Sequence, residues 1–346
     1  MVIRAAAILA ALAAPAFCGE GTTPAAWLEI DPSARSAAMG GAYSALGDDV
    51  FSFYHNPAGL AFMSAPQAAL SRVSWVEDMG SSYAAFAAPA GDFTLGLGGG
   101  YFSSGAIERM DGAGNNLGTY GYSSYSAGGA LAFRRGNIAA GAALKYVGEK
   151  MDDYGAGAPA ADIGAVYTRG PVSLAAALRD WGGSIALYNE SAAMKGSFRG
   201  GAAVRLFGNA LALAGEMERP LASGAKPRYC AGGEYAVSES AEVGKFYLRA
   251  GWQFSRDEGM GGGLSAGVGL LFSKKYTLDY AYVPMGDFGS AQRFSLKVDF
   301  GGGKPQAAPR RTESETYKSA DKAVEDYRSG KITLDQLRAI LRSIGF

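Results

Sequence analysis

From Gln67 to Phe300 the apolar positions recur at every second residue, the period of an extended strand and not the 3.6 of a helix. Phe93, Leu95, Leu97, Gly99 and Tyr101 alternate with Thr94, Gly96, Gly98 and Gly100. Phe246, Leu248, Ala250, Trp252 and Phe254 enclose Arg249, Gly251 and Gln253, and Phe294, Leu296, Val298 and Phe300 alternate with Arg293, Ser295, Lys297 and Asp299. The pattern predicts 14 strands, at 67–76, 80–89, 92–102, 120–133, 137–147, 161–168, 172–178, 197–207, 211–218, 229–237, 245–254, 262–272, 276–283 and 292–300. Many have the roughly 9–11 residues that a tilted strand needs to cross a bilayer, and the number is even.

The connections add to this. Ala90-Gly91, Arg134-Arg135-Gly136, Arg169-Gly170-Pro171, Gly208-Asn209-Ala210 and Ser273-Lys274-Lys275 are short turns at every second position. Between them fall mostly longer loops, including 103–119, 148–160, 180–196 and 219–228. Short turns at one end and long loops at the other are the layout of an outer-membrane barrel. The expected location is the bacterial outer membrane, in contact with its lipid, with both chain termini periplasmic.

One face of the strands carries aliphatics and aromatics. The other is expected to carry Arg72, Lys145, Asp162, Arg205, Glu216, Glu234, Arg249, Asp279 and Lys297 among small residues, so that charges of both signs enter one lumen. Mutual pairing that holds the interior together is favoured over a substrate path. Aromatics at the strand ends read as girdles at the membrane interfaces.

Before the strands, residues 31–60 (DPSARSAAMGGAYSALGDDVFSFYHNPAGL) fit neither an ordinary helix nor a strand. Ala37, Ala38, Gly40, Gly41, Ala42 and Ala45 permit close backbone packing, and Asn56-Pro57 initiates a turn. The segment reads as a compact plug against something larger. The expected organisation is a signal peptide at 1–18, a hatch at 19–66, the barrel at 67–300, a linker at 301–311 and a periplasmic helical tail at 312–346. Residues 1–18 combine Arg4, an apolar run from Ala5 to Ala14 and small residues beyond, with cleavage placed after Ala16 or Cys18. In the tail, Tyr317, Ala320, Val324 and Tyr327 keep helical spacing, Ser329-Gly330 breaks it, and Thr333 caps a second helix. The fold class is thus all-β: a 14-stranded antiparallel transmembrane β-barrel with an N-terminal hatch and a short C-terminal helical tail.

Composition narrows the chemistry. Gly is 51 of 346 residues, about twice ordinary usage, which suits a barrel wall. Lys plus Arg equals Asp plus Glu, 32 each, so no basic surface is available for nucleic acid. The single histidine, His55, excludes His-based metal clusters, and the expected plug is a poor place for a Ser-His pair. Glu149 with Asp152 and Asp153 is a solvated acidic loop before it is a weak calcium site. The run Gly96–Gly100 lacks both the Lys and the following helix of a phosphate cradle. No enzyme activity, cofactor or metal is expected.

Asp31-Pro32-Ser33-Ala34-Arg35, Met39-Gly40-Gly41-Ala42-Tyr43, Gly47-Asp48-Asp49 and Asn56-Pro57-Ala58-Gly59-Leu60 resemble the N-terminal signature of the PorV/PorQ family, outer-membrane proteins related to the FadL-type long-chain fatty-acid transporters. The resemblance covers the plug by motif and the barrel by architecture, and it too implies 14 strands. It assigns Asp31, Arg35, Gly40, Gly41, Asp48, Asp49, Asn56, Pro57, Ala58 and Gly59 to the hatch motif. PorV-like members serve type IX secretion, which would make secreted proteins or secretion-system subunits the partners. FadL-like relatives pass hydrophobic small molecules through a lumen closed by the hatch, often by a lateral opening. Accessory to protein export is the leading expectation, transport of hydrophobic compounds the alternative, and tethering of a periplasmic partner through the tail a second alternative. An interior filled by Arg–Glu pairs, without an apolar pocket or wall opening, would weigh against transport.

Overall fold

The computed structural model describes residues 24–76, 79–187, 190–222, 224–240, 244–254, 263–301 and 320–329, with 333, 334, 337 and 338. The expected signal peptide, nearly all of the linker and most of the tail, including Tyr317, lie outside the described residues.

Eighteen strands form among the described residues. The wall is built from β1 (Gln67–Ser74), β2 (Gly80–Ala90), β3 (Phe93–Ser103), β6 (Tyr122–Arg135), β7 (Ile138–Met151), β8 (Tyr154–Arg169), β9 (Val172–Gly182), β12 (Ser197–Leu206), β13 (Leu211–Pro220), β14 (Arg228–Ser240), β15 (Gly244–Gln253), β16 (Leu264–Phe272), β17 (Tyr276–Pro284) and β18 (Ser290–Asp299). Two small hairpins stand apart from it, β4 (Ile107–Met110) with β5 (Asn116–Tyr120), and β10 (Ser184–Leu187) with β11 (Glu190–Ala193). The 14 wall strands close into one barrel, each antiparallel to its neighbours, with β1 paired to β18 from Gln67–Asp299 to Ser74–Gln292. Closure removes every open sheet edge, which a lipid-facing sheet requires. No helix among the described residues is long and apolar enough to cross a membrane.

Alternation sorts the side chains as expected, with one correction. Leu95, Leu97, Leu144, Ile163, Leu174, Leu248, Val268 and Leu278 are exposed on the outer surface. Phe93, Phe133, Tyr167, Phe272 and Phe300 ring the short-turn end, and Tyr101, Tyr125, Trp181, Trp252 and Tyr282 ring the other. An apolar band between aromatic girdles matches a bilayer. Arg72, expected in the lumen, points outward and donates to Ser82 Oγ at 3.0 Å. It shares parity with exposed Leu70, whereas Gln67, Ala69, Ser71 and Val73 face in, so the period of two already excludes it from the lumen.

A second correction concerns 148–160. It is strand on both sides of a two-residue turn, with Met151 opposite Tyr154. Its sequence, GEKMDDYGAGAPA, shows no alternation and reads as loop by composition. The acidic groups there diverge: Asp152 pairs with Arg109, while Glu149 turns into the lumen and accepts from the Ala25 amide at 2.7 Å.

The hatch runs along the lumen. Glu29 pairs with Arg228 at the start of β14, on the long-loop side, and Met63 packs with Ala69 and Ala87 nearer the short turns. The described chain therefore begins at the long-loop end, while β18 finishes at the other. The tail is a separate unit. Its Ala320–Arg328 helix is described, and Leu337 donates to the Thr333 carbonyl at 2.9 Å, as in a helix opening at Thr333.

Candidate functional site

The site is the interior, where hatch meets wall. The plug is largely irregular backbone, punctuated by short turns of helix at Ala34–Ala38 and Ser52–His55 and a 3-10 turn at Pro57–Phe62. The first and last starts are locally encoded. Ser33 caps the first by accepting from the Ser36 amide, and Asn56 caps the last by accepting from Ala58, with Pro57 at the first helical position. Gly40 and Gly41 have φ of 71° and 95°, so the chain turns where a side chain would be strained.

Wall glycines receive this irregular backbone. A Cβ at Gly40 would lie 3.0 Å from the Trp252 backbone, and one at Gly232 or Gly251 would overlap Met39. Gly141 abuts Pro57 and Ala58, and Gly164 abuts the Asn56 side chain, whose Nδ2 donates to the Ala165 carbonyl at 3.3 Å. On β3, a Cβ at Gly98 would stand 3.1 Å from Phe53, and one at Gly100 3.2 Å from Trp27. The glycine run on β3 therefore seats hatch aromatics against a wall that pairs without interruption to β2 and β6.

Charge locks the fit. Arg35 grips Glu234 with two hydrogen bonds of 2.8 Å and reaches Asp48 at 2.9 Å and Asp49 at 3.5 Å. Glu234 also accepts from Arg249 at 2.6 Å, and Arg249 continues to Asp279 at 2.7 Å. Lys297 pairs with Asp49 at 3.2 Å, and Arg205 reaches the Leu46 carbonyl and Asp48. Glu216 accepts from the amides of Tyr43 and Ser44, the Ser44 hydroxyl and Arg199. Lys145 pairs with Asp162 at 2.8 Å and with Asp180, where the β8–β9 ladder slips by one residue and Asp180 adopts φ 56°. Lys145, Asp162, Glu216, Glu234, Arg249 and Asp279 are buried inside the wall, and Glu216, Glu234, Arg205 and Lys297 touch the hatch directly.

Burial would raise the Asp49 carboxyl, but Lys297 and then Arg35 outweigh it and hold the group below the usual carboxylate range. At Asp31 burial is likewise overcome, first by His55 and then by Arg293. His55 is buried between Tyr43 and Tyr54. Its Nδ1 lies 3.1 Å from an Arg199 nitrogen that can only donate, which leaves the proton on Nε2, 3.2 Å from Asp31. No cluster fit for a metal occurs among the described residues.

Sequence reasoning missed Arg179, Arg199, Glu218, Arg293 and Gln67. Arg199 has the parity of Arg205, Glu218 that of Glu216, and Arg293 that of Lys297, so the inward rows carried the signal. Arg179 falls one residue beyond the expected strand; it is fully buried, 4.1 Å above the Tyr54 ring.

At the long-loop end a cavity of about 520 Å³ remains between hatch and wall. One side is apolar: Trp27 and Ile30 of the hatch with Trp75, Phe102, Val283 and Met285. The other holds Arg199, Glu216, Glu218 and Arg228 of β12–β14, paired with one another and with Glu29 at 2.9–3.3 Å. Below the cavity the lumen is occupied by hatch and ion pairs.

Neither the protein-family models nor the curated protein sequences give a match. Solved structures do. The CymD monoaromatic hydrocarbon channel is similar with a TM-score of 0.59 at 11% identity, over 79% of this chain and 98% of its own. The toluene transporter TodX of P. putida gives 0.58 at 12% identity over 80% and 100%, and the Ralstonia pickettii toluene transporter TbuX 0.57 at 12% over 79% and 100%. At these identities the likeness is one of fold: a closed, 14-stranded antiparallel barrel. These neighbours are channels and transporters, and nothing in the comparisons supports PorV/PorQ membership or protein export.

Proposed function

We propose that the protein is an outer-membrane channel that admits small, largely apolar molecules at its long-loop end and is gated by its hatch. The observation that carries this reading is the cavity of about 520 Å³ with an apolar face, held between hatch and wall above a filled lumen. The names of the structural neighbours, monoaromatic hydrocarbon channels and toluene transporters, favour the same class of cargo. In this reading the long loops face the cell exterior and the short turns the periplasm. Because the 14 wall strands close into one barrel and the hatch occupies its interior, passage through the lumen requires the hatch to shift. The charged pairs then act as a latch that holds the resting state.

The test uses a native thiol. Gly41 lies beside Cys230, whose Sγ is 3.9 Å from the position of a Gly41 Cβ. In Gly41→Cys, oxidation should tie the hatch to β14, whereas Gly41→Ala, which carries the same backbone strain at φ 95° without the thiol, should not respond to oxidant. Uptake of toluene into vesicles containing the full chain should exceed that into empty vesicles, stop on oxidation and return on reduction. Uptake no faster than in empty vesicles would overturn the channel reading. Co-purification of secreted proteins with the barrel would then restore export as the better account.

A further inference from the structure

Across β17, β18, β1, β2 and β3 the outer surface of the wall dips into a groove of about 540 Å³. Small residues make the dip. Ala84 and Gly99 face each other in the ladder, whereas the next outward pair toward the short turns is Phe86 with Leu97. Leu70 and Leu296, also a pair, form one bank, and Tyr101 stands at the long-loop end. Arg72 lies at that same end. Its row around the wall runs Tyr280, Phe294, Arg72, Ser82, Tyr101 and Tyr125, which places it among girdle residues, the height at which lipid headgroups lie.

The Arg72 side chain is exposed and turns toward the long loops, since a Cβ on Gly80 would come within 2.8 Å of its Nη2. Its Nη1 donates to Ser82 Oγ at 3.0 Å, and among the described residues no carboxylate pairs with it. The interior arginines differ: Arg35, Arg199, Arg228 and Arg249 each have a carboxylate partner. A charge on the lipid face costs free energy that a counter-ion offsets, and outside the wall the anions at this height are headgroup phosphates.

We infer that this face holds a phosphate-bearing lipid of the long-loop leaflet, its phosphate on Arg72 and one acyl chain in the groove over Ala84 and Gly99. A guanidinium offers a phosphate paired N–H donors. Ser82 accepts from Arg72, so its own hydroxyl hydrogen remains to donate to the same phosphate. A second copy of the barrel is the weaker occupant. It would have to meet Arg72 with an acid, and no acidic residue of the described wall strands points outward in their long-loop half. The site lies outside the barrel and is independent of what the lumen conducts.

Native mass spectrometry of the full chain released from detergent counts the lipids it retains. Dimyristoyl phosphatidic acid should be retained about fivefold better than dimyristoyl phosphatidylcholine, which has the same chains and a neutralised head. Arg72→Gln should erase that preference, and Ala84→Phe, which fills the groove, should lower retention of both lipids. Arg219→Gln removes an outward base from β13, on the far side of the wall, and should change neither. All three substitutions face lipid, and a heat-resistant barrel band on a denaturing gel checks that each variant is folded. Equal retention of the two lipids by the native chain, or a loss in Arg219→Gln as large as in Arg72→Gln, would overturn the site and leave only a general attraction between base and anion. A dimer that forms without lipid and is lost in Ala84→Phe would overturn it in favour of a second copy.

Discussion

Arg35 is the residue on which the seated hatch most depends, and Arg35→Met measures that dependence. Methionine keeps much of the stem and removes the charge. Three carboxylates lose a partner, but none is left without one: Glu234 keeps Arg249 at 2.6 Å, Asp49 keeps Lys297 at 3.2 Å, and Asp48 keeps Arg205 at 3.2 Å. Removing one member of a buried pair costs about 3–5 kcal/mol when the other is stranded. The surviving partners, and the 40% exposure of the Asp48 side chain, place this variant near the lower end, at about 3 kcal/mol. If that loss falls on the hatch alone, its open population rises by roughly a hundredfold. Hydrogen exchange at the Tyr43 and Ser44 amides, both bonded to Glu216 in the seated state, should accelerate by that factor while the wall strands stay protected. A double-mutant cycle with Glu234→Gln should give a coupling energy of about 1–3 kcal/mol. Unchanged exchange in the hatch would refute the latch. Equal acceleration in β14 and β15 would show that Arg35 holds the barrel together rather than the gate.

Glu216→Gln should also loosen the hatch, by about 2–4 kcal/mol in the same exchange experiment, because an amide turns donors toward the Tyr43 and Ser44 amides and Arg199. Gly251→Val should expel the Met39–Gly40 turn while the heat-resistant barrel band on a denaturing gel persists, whereas Gly129→Ala, with its nearest contact at 3.5 Å, should change neither. Acid should unlatch the hatch late. The Asp49 carboxyl is held below its unfolded value, so its contribution is complete above about pH 4 and is lost as pH falls through the lower folded value. Hatch protection should therefore be flat from pH 5 to 8 and fall below pH 4; a transition centred near pH 6 would contradict this.

The wall was legible because membrane strands repeat one simple rule many times. Alternation located all 14, and even the misplaced Arg72 follows from the parity of Leu70. Where alternation lapses, as in GAGAPA before Ala161, small residues on both faces left β8 half hidden, and only its register against β7 shows it. The hatch was legible as a segment through its small residues and Asn-Pro turn, but its contacts were not. That Gly251 receives Met39, or that Glu234 receives Arg35, depends on strands some 200 residues away in sequence. The same limit hid the cavity, whose lining comes from the hatch and from both halves of the barrel. The resemblance carried by the hatch residues led to the right fold, while its export branch drew no support from the structures found.

The pairing of β1 with β18 sets an order of assembly. Gln67 meets Asp299, so the ring has no last bond until nearly the whole wall has been made. The hatch ends only a few residues before β1, and the wall glycines that receive it admit its backbone without clearance. A plug so closely fitted seats most directly against a sheet that is still an open trough, as cargo is loaded before a hull is sealed, and we expect that order in assembly. A chain stopped short of Ser290 should then expose its hatch to protease along with its unpaired β1 edge, and supplying β18 as a separate peptide should protect both in a single step.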